Sequence, residues 1–82
     1  MDFASRKRVL KETLTEVGEM LTGIGAEFIT EGINTGNAEF RKFGVSLVYV
    51  GSMTAKYSGI MALVLSFYAE DAAGEGRRGH EF

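Results

Sequence analysis

The chain has 82 residues, a formal charge of -2, a single histidine and neither cysteine nor proline. It is too short for a second domain, disulfides are excluded, and His80 alone in a polar segment cannot build a zinc site. The charge is too small to imply a nucleic-acid partner, and a lone core of this size is marginal, so partner chains or a bilayer are the expected extra source of stability.

No apolar h-region precedes a cleavage site in the opening MDFASRKRVLKETL, so a signal peptide is not expected. Residues 1–33 read as an amphipathic helix. Leu10, Leu14, Val17, Leu21, Ile24 and Phe28 recur at steps of four and three, which is one helix stripe and also a heptad seam. Arg8, Glu12, Glu16 and Glu19 occupy the other side, and Asp2 or Ser5 could cap the start. Beside the seam, Gly18, Gly25 and Gly32 recur every seven residues. Each interior glycine costs roughly 1 kcal/mol against alanine, and close approach of a second backbone would compensate that cost.

Residues 34–42 read as a turn and a basic linker. Asn34, Gly36 and Asn37 mark the stop, Gly36 is the candidate for a left-handed residue, and Arg41 and Lys42 follow.

Residues 43–70 read as an apolar helix and a possible membrane span. Ser52, Ala55, Gly59, Ala62, Ser66 and Ala69 fall at steps of three and four, a seam of small side chains suited to tight helix contact. Lys56 adjoins that seam and is expected as a buried polar group, with Glu19, Glu27 or Glu31 as candidate partners. Nine Leu, Ile, Val or Phe residues lie between Val45 and Tyr68. They favour insertion by about 3 to 5 kcal/mol, and Lys56 opposes it by about 2.5 to 3.5 kcal/mol, so an isolated span is marginal. Residues 71–82 read as a flexible polar tail.

The expected fold is therefore all-α: a two-helix antiparallel hairpin packed in an oligomer or a membrane. The alternative is an α+β chain in which one helix packs on a β-hairpin, as a soluble cytoplasmic dimer with a binding or regulatory role. That alternative rests on the valine and tyrosine enrichment of GVSLVYVG. No catalytic constellation, phosphate loop, cofactor motif or metal cluster is visible, and no enzymatic role is expected. The pattern points to a structural subunit of a membrane or of an extracellular or viral filament, in contact with copies of itself, other membrane subunits or lipid. The interface is expected on the two seams, and Gly59→Leu is expected to break assembly. The order of helix, basic loop and apolar helix resembles, in architecture alone, the pilins of conjugative pili and the coat proteins of filamentous phages.

Overall fold

The computed structural model describes residues 2–79, with side chains through residue 72. Helix α1 spans Phe3–Thr35, α2 spans Ala38–Lys56 and α3 spans Ser58–Gly79. The chain is all-helical, with three helices in place of the expected two, and no strand occurs among the described residues. The β-hairpin alternative is thereby overturned. Tertiary packing of this segment against α1 decides against its strand propensity.

Asp2 starts α1 as its cap, its carboxylate accepting the Ser5 N–H at 2.7 Å. That hydrogen bond holds the Asp2 carboxyl below its ordinary value of 3.8. A carboxyl depressed in the folded state stabilises it above the unfolded value and loses that contribution as pH falls through the folded one. The Ser5 amide resonance should therefore shift on acidification at a pH below 3.8. Asp2→Asn, which keeps the cap, should abolish that titration step; a Ser5 shift that persists unchanged would contradict the cap.

Gly36 ends α1 in the left-handed region at φ 69°, as its place in the sequence suggested. The Asn37 N–H donates to the Gly32 carbonyl at 2.9 Å and the Gly36 N–H to the Ile33 carbonyl at 3.4 Å, a Schellman closure. Asn37 then caps α2 at once, its side-chain oxygen accepting the N–H groups of Glu39 and Phe40 at 3.0 and 3.1 Å. The linker expected over 34–42 thus contracts to Gly36 and Asn37, and Arg41 and Lys42 lie inside α2. Glu39 in the first turn of α2 complements the helix dipole.

The continuous helix expected over 43–70 is broken. Tyr57 sits at φ −101°, ψ 17°, and α2 and α3 through Ala72 meet at 72°. The polar tail expected from residue 71 is helical to Gly79, and His80 lies outside the described residues.

Backbone contact between α1 and α2 explains the seven-residue spacing of Gly18, Gly25 and Gly32, which is matched on α2 by Gly44 and Gly51. A Cβ on Gly18 would lie 2.6 Å from the Gly51 carbonyl oxygen, and one on Gly51 would lie 2.5 Å from that of Gly18. Gly25 and Gly44 repeat the arrangement at 2.6 and 2.5 Å. At each of these positions the hydrogen replacing Cβ is aimed at the facing carbonyl, giving reciprocal Cα–H···O contacts of about 0.5–1 kcal/mol each. Gly32 closes the ladder beside the turn, where a Cβ would meet the Arg41 nitrogen and the Asn37 oxygen. Pairing rises along α1 as it falls along α2, so the two helices run antiparallel.

Helix α3 packs on α1 and hardly touches α2. Its buried residues are Ser58, Ala62 and Ser66, a row spaced by four. Such a row is inclined to the helix axis, so docking along it makes α3 cross α1, whereas the seven-residue ladder holds α2 alongside. Ser58 Oγ and Thr15 Oγ1 are 3.0 Å apart, and the Phe3 and Phe67 rings meet at 5.0 Å.

Candidate association surface

Small residues make the interior of this chain. Among the described residues the buried positions are Gly18, Gly25, Gly32, Gly44, Gly51, Ser58, Ala62 and Ser66, and Ala62 is the one buried hydrophobic side chain. Large apolar groups face outward: Tyr49 is 66% exposed, Ile60 64%, Phe67 54% and Tyr68 68%.

The expected small-residue seam divides accordingly. Ala62 and Ser66 are fully buried, Ala55 and Gly59 are half-buried, and Ser52 and Ala69 are exposed. The buried members face α1 of the same chain. A Cβ on Gly59 would approach nothing nearer than the Lys11 Cε, at 3.9 Å. Within the chain Gly59 is thus a roomy position, where a larger side chain meets no close neighbour.

Lys56 is a further correction. It is exposed, and its ammonium lies 5.3 Å from the centroid of the Tyr57 ring. No ion pair joins it to Glu19, Glu27 or Glu31 among the described residues. With the chain turning at Tyr57, Lys56 occupies the last turn of α2, where a cation complements the helix dipole.

The apolar seam of α1 lies on one flank of the glycine line. Each residue advances about 100° around the axis, which places Val17, Leu21, Ile24 and Phe28 together on that flank and Glu19, Thr22, Ala26 and Thr30 on the other. Leu10, Leu14, Leu21 and Phe28 are half-buried, while Val17 and Ile24 are exposed. On α2 the corresponding flank carries Phe43, Leu47, Val50 and Thr54. Phe28 fixes the two flanks on one side, because its ring meets Phe40 at 5.5 Å and Phe43 at 5.0 Å, both edge to face. The α1–α2 pair is therefore a two-sided ribbon. One broad face carries Phe28, Phe43, Leu47 and Val50; the other carries Thr22, Ala26 and Ser52 together with Ile29, Val45 and Val48, so both faces are largely apolar.

Hydroxyls along the helices turn inward on their own backbone. Ser46, Thr54 and Ser66 donate to the carbonyls of Lys42, Val50 and Ala62 at 3.2, 2.8 and 2.7 Å. The apolar half of the chain can thus be covered without leaving those donors unsatisfied.

Sequence reasoning missed Gly44, Gly51 and Ser58. Their seven-residue interval was present in the sequence, out of step with the seam counted from Ser52. No group of three or more His, Cys, Asp or Glu residues able to hold a metal occurs among the described residues. No known protein family, curated protein or solved structure matches the chain.

Proposed function

We propose that this protein is a small, non-catalytic structural subunit that works inside a larger helical assembly, either embedded in a membrane or built into a filament. The observation that carries this reading is the inversion of its packing: glycine, alanine and serine fill the interior, and the large apolar side chains are left outside. A soluble domain normally buries a second layer of secondary structure against such faces. Here α1 and α2 lie side by side, and α3 packs on α1 and hardly touches α2.

Surface area supports the same reading. The chain exposes 6089 Å², against about 4,800 Å² for a compact monomer of its mass. The excess, about 1,300 Å², exceeds the roughly 800 Å² that each partner contributes to a standard interface. Charge is segregated as well. No acid occurs from Phe40 to Ala69, while the outer side of α1 carries Glu12, Glu16, Glu27 and Glu31. In the proposed assembly α1 faces water, and α2 and α3 face other subunits or lipid. The small-residue seam holds the chain together, and the large apolar faces do the associating.

Among the described residues no single helix is long and apolar enough to cross a membrane, and α2 with α3 through Ala72 reaches that measure only as a bent pair. In a membrane-embedded assembly the 72° elbow at Tyr57 would have to be retained, so the pair would enter as a broken or re-entrant segment.

The test is fractionation of the expressed protein between membrane and soluble extract, followed by light scattering on the purified particle. A mass of several times 8.9 kDa is expected. A helical, single-chain particle stable in plain buffer would contradict the proposal.

A further inference from the structure

We draw no further inference here: the strongest candidate, the open depression between α1 and the first turn of α2 lined by Glu27, Phe28, Glu31 and Phe40, sets two exposed carboxylates beside an unpartnered apolar face, and nothing in the structure shows what covers it.

Discussion

Replacing Gly25 with alanine lowers stability by about 1–3 kcal/mol, the usual cost of overpacking a tight contact, while the same change at Gly23 raises it by about 1 kcal/mol. The two glycines are two residues apart in one helix and gain the same intrinsic helix propensity. They differ in what the added methyl meets. At Gly25 it lies 2.6 Å from the Gly44 carbonyl oxygen and 2.8 Å from the Val48 nitrogen, both backbone atoms that cannot step aside. At Gly23 it meets nothing within 4 Å. Urea unfolding followed by circular dichroism at one fixed protein concentration separates them, since association makes apparent stability concentration-dependent. Opposite signs are expected, and equal shifts would show that α1 and α2 are not in backbone contact. Gly18, Gly44 and Gly51 should behave as Gly25 does, because each also faces backbone at 2.5–2.6 Å.

A second large effect is expected at the crossing of α3 over α1. Ala62 and Ser66 are fully buried there, with the Ser66 hydroxyl returned to the Ala62 carbonyl at 2.7 Å. Ala62→Leu must force the two helices apart, at a cost of about 1–3 kcal/mol. Because α3 hardly touches α2, the loss should be local: amides of α3 exchange faster while those of the α1–α2 ladder stay protected. Gly59→Ala, one turn earlier, finds only the flexible Lys11 side chain at 3.9 Å and should leave exchange unchanged or slower. Uniformly faster exchange in Ala62→Leu would mean that α3 is cooperative with the hairpin, against the docking described here.

These contrasts also mark how far the residues themselves announce the structure. Gly18, Gly25 and Gly32 were legible because a helical pattern that repeats a costly residue on one line must have a backbone close by. Gly36 and Asn37 were legible through their turn chemistry, though the abrupt restart of α2 at Ala38 was not. That restart depends on Asn37 closing one helix and capping the next. The partner line of the ladder, Gly44 and Gly51, was hidden behind a second regularity. Ser52, Ala55, Gly59, Ala62, Ser66 and Ala69 keep a 3.5-residue step only if the helix is continuous, and it is not. Past Tyr57 the relevant row is Ser58, Ala62 and Ser66 at a step of four, set by the crossing angle with α1, a tertiary property that no local propensity encodes. Lys56 was misplaced for the same reason: in an unbroken helix it flanks the seam, whereas at the end of α2 it is free to lie over Tyr57.

The association surface was half legible. The stripe from Leu10 to Phe28 was correctly grouped by its spacing, and its pairing with Phe43 becomes visible only through the edge-to-face rings. Nothing in the sequence separated that stripe from the glycine line about 80° away on the same helix, so the tight contact and the apolar face merged into one expected interface.

The fold depends most on the small residues being spent within one chain. The direct measurement is the nuclear Overhauser contact between glycine α-protons across the ladder, recorded on a mixture of isotopically labelled and unlabelled protein with a filter that selects contacts between chains. Cross-peaks linking Gly18 to Gly51 and Gly25 to Gly44 should appear in the unfiltered spectrum and vanish in the filtered one. Their absence from the first, or their persistence in the second, would place those glycines between subunits and contradict the fold described here.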